Sequence, residues 1–333
     1  MSHLIKYSDN EIIIDNLIKG FTNTYDHITI NKKSKRVVQN KTILKNKVIL
    51  IGGGGSGHEP AHIGYIGVNM LDVAVVGDIF EPPTLADIMI AIRETYNGHG
   101  TLLIIKNFEK DLDVFLKAEC IARKEGFLVD HVIVTDDCSV KHSTFIQRKR
   151  GVAGTILVHK ILGTASKKGY TLDQIKNLGD RVINEIKTIG VAFSSNDSIG
   201  NIKKQYDLHD DEMYFGIGIH GEPGYRKEKN QSSERIAVEL FNKLNQQFYP
   251  LKLDKIALLV NGLGGASLLD LSIFMAHITE LLDIENISPV YKLLGNFLTS
   301  YNTNGLSLTF LNIIDDDWIK LLNEPTNAFG WPH

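Results

Sequence analysis

The sequence predicts an α/β protein of two domains, residues 1–190 and 191–333, each a sheet flanked by helices. Three observations predict it. Short apolar, β-branched runs at 48–51, 71–76, 102–105 and 132–134 alternate with segments whose apolar residues recur at helical spacing. Each run ends in glycine or polar residues, as strands of a parallel sheet do when they feed loops. A polar, irregular stretch at 194–213 separates this alternation from a second one, and a domain junction is expected there.

Taken in order, Ile12, Ile13, Leu17, Ile18 and Phe21 give residues 1–25 an amphipathic helix. The lysine-rich 31–47 reads as a solvated connection. The run 48–51 leads into Gly52-Gly-Gly-Gly-Ser-Gly-His-Glu-Pro60. That predicts a strand, a tight loop and a helix with Pro60 in its first turn, where the missing N–H is harmless. Four glycines and a histidine exceed what a plain turn requires, so the loop is a candidate site. The run at 71–76 ends in a second loop at 77–84, followed by a helix over 85–96. The run at 102–105 ends at Lys106, before a helix carrying Leu112, Phe115, Ala118 and Ile121. The run at 132–134 ends at Asp136 and Asp137, and two helices fill 151–187. In the second half, alternating glycine and apolar residues from Met213 predict a tightly packed strand that ends in His220-Gly-Glu-Pro. Helices over 233–247 and 268–282, strands at 256–260, 290–294 and 306–314, and a helix around Trp318 complete the chain.

Composition excludes several classes. The 36 Lys+Arg balance 39 Asp+Glu, which argues against direct nucleic-acid binding through a basic surface. No apolar run reaches a membrane span, and Met-Ser-His-Leu-Ile-Lys has no signal-peptide core, so a cytoplasmic protein is expected. Cys120 and Cys138 are expected as free thiols. The glycine run lacks the lysine of a GxxxxGK[ST] loop and the acidic residue of a dinucleotide fold, so no nucleotide cofactor is read from it. No HxH or CxxC spacing supports a metal site, and no metal is expected. Ser56 is not in a GxSxG elbow.

Ligands of parallel sheets bind beyond the carboxyl ends of the strands. Those ends carry His58, Asp78, Lys106, Asp111 and Asp136/Asp137. His58, at the expected start of a helix, should be held neutral by the helix dipole. Asp111 beside Lys106 is a candidate acid or base. His220 lies in a second glycine-rich turn, His-Gly-Glu-Pro, echoing His-Glu-Pro at 58–60. A neutral imidazole in an apolar, glycine-lined pocket can attack a reactive carbonyl.

These stretches also carry a family resemblance. Gly52 to Pro60, Gly64-Tyr-Ile-Gly67, Gly77-Asp-Ile-Phe80, Leu103-Ile-Ile-Lys-Asn107, Arg150-Gly-Val-Ala-Gly-Thr155, Gly216-Ile-Gly-Ile-His-Gly-Glu-Pro-Gly224 and Asn261-Gly-Leu-Gly-Gly265 resemble, in order, the substrate-binding subunit of dihydroxyacetone kinases. The resemblance implies a two-domain α/β homodimer that holds dihydroxyacetone as a covalent hemiaminal on His220. It assigns acid–base roles to His58 and Asp111, and substrate contacts to Gly55, Ser56, Gly57, His58, Lys106 and Asp111. In such kinases the nucleotide sits on a separate ADP-binding subunit or a fused domain, so no phosphorylation by this chain alone is expected.

Segments at 81–83, 136–150, 194–198 and 299–303 depart from the family's usual pattern while the motif residues are kept. The family includes paralogues that bind dihydroxyacetone and act as coactivators of a helix-turn-helix transcription regulator. A changed partner surface would produce such departures, and this is the favoured expectation. The alternative is a kinase subunit that works with the ADP-binding subunit.

Overall fold

A computed structural model describes residues 9–139, 149–195, 206–222 and 224–332. Their strands form two six-stranded sheets. The first half contains α1 (Asn10–Thr24), β1 (Ile28–Ile30), β2 (Val37–Asn40), β3 (Ile49–Ser56), β4 (Val73–Ile79), α2 (Leu85–Thr95), β5 (Thr101–Lys106), α3 (Glu109–Lys124), β6 (Val129–Val134), α4 (Thr155–Lys167) and α5 (Leu172–Glu185). The second contains β7 (Ile186–Ala192), β8 (Glu212–Phe215), β9 (Arg226–Lys229), α6 (Ser233–Gln246), β10 (Lys255–Gly262), α7 (Leu268–Ile284), β11 (Ser288–Gly295), β12 (Gly305–Asn312) and α8 (Asp317–Asn323). The α/β class expected from the sequence is the one observed.

The first sheet has the order β1-β2-β4-β3-β5-β6. Strands β4, β3, β5 and β6 run parallel, while β1 and β2 join antiparallel. The segment 31–47 is therefore not a plain solvated connection. Val37 and Val38 are buried in β2, and Lys47 is buried against Asp72 at 2.6 Å. A lysine count alone cannot show that one ammonium has a buried carboxylate waiting.

The glycine run is not a loop either. β3 continues through Gly52–Ser56, paired with β4 on one side and, as far as Gly52, with β5 on the other. A hydrogen-bonded ladder needs no side chains, so the strand outlasts the hydrophobic run that announced it. Close neighbours explain the glycines: a Cβ on Gly53 would lie 2.5 Å from the Val75 carbonyl oxygen, and one on Gly55 would lie 2.8 Å from the Glu81 nitrogen. No α-helix follows Pro60; the chain makes turns and a single 3-10 turn, Ile63–Tyr65.

The second sheet, in the order β11-β10-β12-β7-β8-β9, is largely antiparallel, with only β10 and β11 parallel among the described strands. Strand β7 follows α5 directly, where a helical reading to 187 hides it, and a division at 190 falls inside it. The strand expected from Met213 to the His220 turn is shorter: β8 stops at Phe215, and Gly216 and Gly221 take positive φ in the turn beyond it.

Helix α4 lies between the two sheets. Thr155 to Ser166 are all buried, and Ile156, Leu157, Ile161 and Leu162 join one apolar cluster with Leu50, Ile104, Leu259 and Leu311. Each such aliphatic side chain gains about 1.5–3 kcal/mol on burial. The amino end of α4 is held by Asp136, whose carboxylate accepts from Val152 N at 2.7 Å and Gly154 N at 2.8 Å. Thr164 Oγ1 donates to the Leu321 carbonyl at 2.9 Å, tying α4 to α8. No helix of the described residues is long and apolar enough to cross a membrane.

Candidate functional site

The carboxyl ends of β3 and β5 meet the turn after β8, and this brings His58, Lys106, Asp111 and His220 together. The His58 and His220 rings stand edge to face, with centroids 4.7 Å apart. Phe108 and Phe80 complete the walls, their centroids 4.3 Å and 5.8 Å from that of the His220 ring.

His58 is fully buried, and its Nδ1 lies 2.7 Å from the Thr299 carbonyl oxygen. A carbonyl only accepts, so Nδ1 carries the proton and Nε2 carries the lone pair. No hydrogen-bond partner engages that Nε2 among the described residues. Burial, aided by the charges of Lys106 and His220, pushes His58 well below the usual imidazole range. The imidazole is thus held neutral, as expected, but by burial; there is no helix N-terminus at this position.

A second layer fixes His58. Thr299 N donates to the His58 carbonyl at 3.2 Å, and Tyr301 N donates to the Gly57 carbonyl at 2.9 Å. The turn supplying these groups is organised by Asn261, whose Oδ1 accepts from Phe297 N and Leu298 N at 2.8 and 2.9 Å and whose Nδ2 donates to the Leu298 carbonyl at 2.8 Å. The Asn-Gly-Leu-Gly-Gly motif therefore serves His58 from the other sheet. Consequently the departure at 299–303 lies behind the site and is not a free outer surface.

Lys106 and Asp111 are buried, and neither Lys106 Nζ nor Asp111 Oδ1 has a hydrogen-bond partner among the described residues. A Cβ on Gly54 would lie 3.0 Å from Lys106 Nζ and 3.4 Å from Asp111 Oδ1, so both groups share the space beside this glycine. Burial pulls the Lys106 ammonium down, against the charges of Asp111 and Glu222. Burial also pushes the Asp111 carboxyl up, against Lys106 and His220. Orphaned buried donors and acceptors facing one space are what a polar ligand would satisfy.

His220 Nδ1 lies 2.9 Å from Glu222 Oε1, and His220 N donates to Glu222 Oε2 at 3.1 Å. Burial alone would raise the Glu222 carboxyl, but the His220 hydrogen bond and the charges of His220 and Arg150 hold it at about 2. An ionised Glu222 keeps the proton on Nδ1 and leaves the His220 Nε2 lone pair available. Glu222 is not among the residues that the sequence singles out. The shared His-Glu-Pro pattern is the signal for it: Glu59 likewise accepts from a backbone N–H two residues back, Gly57 N at 3.1 Å.

The remaining candidates fall elsewhere or play other parts. Ser56 Oγ donates to the Gly77 carbonyl at 2.9 Å, and Gly57 N is taken by Glu59. Gly55 packs on the Phe80–Glu81 backbone. Asp78 is exposed and pairs with Arg36 at 3.0 Å, away from the histidines. Asp136 holds α4, and Asp137 pairs with Arg150 at 2.5 Å. Sequence reasoning also passes over a buried pair, His62 and His159, whose Nδ1 and Nε2 lie 3.0 Å apart.

The Dak1 domain model matches residues 19–330, and the chain belongs to this family. Over 96% of both chains it is 42% identical to the PTS-dependent dihydroxyacetone kinase, dihydroxyacetone-binding subunit DhaK, of Lactococcus lactis. It is 44% identical to the DhaKLM operon coactivator DhaQ of the same organism, over 98% of this chain and 99% of that one. A solved structure described as the dihydroxyacetone kinase operon co-activator Dha-DhaQ superposes with a TM-score of 0.91 at 43% identity, covering 95% of this chain and 98% of that one. The dihydroxyacetone kinase of C. freundii superposes with a TM-score of 0.88 at 30% identity, with 99% of this chain spanning 60% of that one.

Proposed function

We propose that this chain captures dihydroxyacetone as a hemiaminal on His220 and, as a cytoplasmic homodimer, reports the captured triose as coactivator of a helix-turn-helix transcription regulator. The observation that carries the capture is the Glu222 carboxylate 2.9 Å from His220 Nδ1, which leaves Nε2 as the nucleophile beside two phenylalanines and His58. The Nε2 lone pair bonds to the ketone carbon, and the C=O π pair moves onto oxygen. The alkoxide takes a proton from Asp111, and Glu222 balances the imidazolium. Lys106 and the His58 Nε2 hydrogen-bond the ligand hydroxyls. Binding through a carbonyl favours ketones over polyols such as glycerol, which have the hydroxyls and no electrophile.

The coactivator role is supported by the 44% identity to DhaQ and by departures from the kinase pattern at 81–83, 136–150 and 194–198. Much of the last two segments lies outside the described residues. The 42% identity to DhaK supports the second reading, a substrate-binding subunit that passes the triose to an ADP-binding partner. Mixing the protein with dihydroxyacetone, an ADP-binding subunit and its phosphoryl donor separates the two. Formation of dihydroxyacetone phosphate contradicts the coactivator reading; dihydroxyacetone-dependent binding to a helix-turn-helix regulator, without turnover, supports it.

A further inference from the structure

We propose that Arg150 is a positioning residue for His220: it clamps the turn from Gly216 to Glu222 onto the end of the first sheet and so fixes the carboxylate that orients the imidazole. The inference rests on reading His220 as the covalent residue. Arg150 is buried, and each arm of its guanidinium has a different task. Nε pairs with Asp137 at 2.5 Å, on the segment following β6. Nη2 donates to Ser139 Oγ at 2.9 Å and to the Gly216 carbonyl at 2.8 Å, across to the turn after β8. Nη1 and Glu222 Oε2 crowd the same spot, 2.6 Å and 1.9 Å from where a Cβ on Gly218 would stand. Gly218 N in turn donates to the Glu222 carbonyl at 3.1 Å.

This arrangement gives physical reasons for two residues at once. A side chain at position 218 would push Glu222 and Arg150 out of their places, which accounts for the glycine there. Position 150 needs a fork of donors: a lysine could keep the charge near Glu222, but could not reach Asp137, Ser139 and Gly216 together. The charged groups around Glu222 are His220 on its own turn, Arg150 and its partner Asp137 beyond β6, and Lys106 at the end of β5. Asp111 and His58 face it through His220. Arg150 and Lys106 are the cations of this set, and Arg150 is the one in contact with the turn. The Arg150 charge helps to hold the Glu222 carboxyl down, so removing it should make Glu222 bind a proton more readily.

The test begins on the ligand-free protein. The Glu222 carboxyl is followed by ¹³C NMR against pH, its signal identified by Glu222→Gln. In Arg150→Gln its midpoint should move upward by about one pH unit, and in Arg150→Lys it should stay near wild type. The rate of adduct formation with dihydroxyacetone should fall in both variants, because neither keeps the fork that holds the turn, while its acid limb should move upward in Arg150→Gln alone, a readout that a merely structural loss would not move. If Arg150→Gln does not fold, Asp137→Asn/Arg150→Gln removes the buried pair together, and Glu222 must still move upward. A Glu222 midpoint unchanged in folded Arg150→Gln or in the double variant, or an adduct rate that Arg150→Lys fully restores, overturns the inference. A midpoint that moves as stated, in a wild-type protein that forms no adduct, supports the clamp and contradicts the covalent reading of His220 instead.

Discussion

Thr299 O accepts from His58 Nδ1 at 2.7 Å, while Thr299 N donates to the His58 carbonyl at 3.2 Å, so a residue of the second sheet's connections holds both the ring and the backbone of a histidine from the first half. The site is therefore assembled across the two sheets, and its geometry depends on the turn between β11 and β12.

That turn hangs on Asn261. Asn261→Ala would strand three buried backbone groups, the Phe297 and Leu298 N–H and the Leu298 carbonyl. A loss of about 3 kcal/mol in urea unfolding is expected, since each unsatisfied buried group costs about 1–3 kcal/mol with partial relaxation. Slower adduct formation should accompany it, because His58 loses its support. A variant with wild-type stability would show that the carboxamide does not organise the turn.

The glycines of β3 divide into two kinds. A Cβ on Gly53 meets the Val75 carbonyl oxygen at 2.5 Å, whereas one on Gly54 meets the Lys106 side chain at 3.0 Å. Gly53→Ala should destabilise the fold by about 3 kcal/mol. Gly54 takes φ 153°, so Gly54→Ala should cost about 1–3 kcal/mol through backbone strain and, unlike Gly53→Ala, also weaken triose retention about tenfold. Equal effects on stability and retention in both variants would contradict this division.

Three buried imidazoles predict the acid behaviour of the fold. Burial, aided by Lys106, lowers His58 and His62 well below the usual range and His159 to about 3. All three are neutral when folded and free to protonate when unfolded. Their contribution is fully present above about pH 6.5 and is lost as pH falls below it, at roughly 1.4 kcal/mol per pH unit for each histidine. Urea midpoints measured between pH 7 and pH 5 should fall accordingly, and His159→Gln should reduce the slope by about one proton. An unchanged slope in that variant would mean that His159 does not stay neutral.

Much of this is legible in the chain, and the exceptions have physical causes. The strand–helix alternation reveals the first sheet, and the convergence of His58, Lys106 and Asp111 follows from strand ends of a parallel arrangement. Strands β1 and β2 escape the sequence reading because strands of three and four residues beside a lysine-rich stretch are too short to show periodicity, and β7 escapes it because it continues straight from α5. The helix expected after Pro60 does not form, because glycines needed for close backbone contact extend β3 instead. Glu222, Thr299 and Arg150 carry no chemistry signature of their own; their roles arise from contacts between distant segments. The proposed division at 190 cuts β7, whose strand partners β12 and β8 both belong to the second sheet.

The central claim is that His220 Nε2 bonds to the ketone. Native mass spectrometry of the wild-type protein with dihydroxyacetone, paired with ¹³C NMR of the ligand labelled at its carbonyl carbon, tests it directly. The account predicts a mass gain of one triose and conversion of the carbonyl signal to that of a tetrahedral carbon, both abolished in His220→Ala and slowed in His58→Ala. A triose retained with its carbonyl signal intact, or an adduct that persists in His220→Ala, would contradict it.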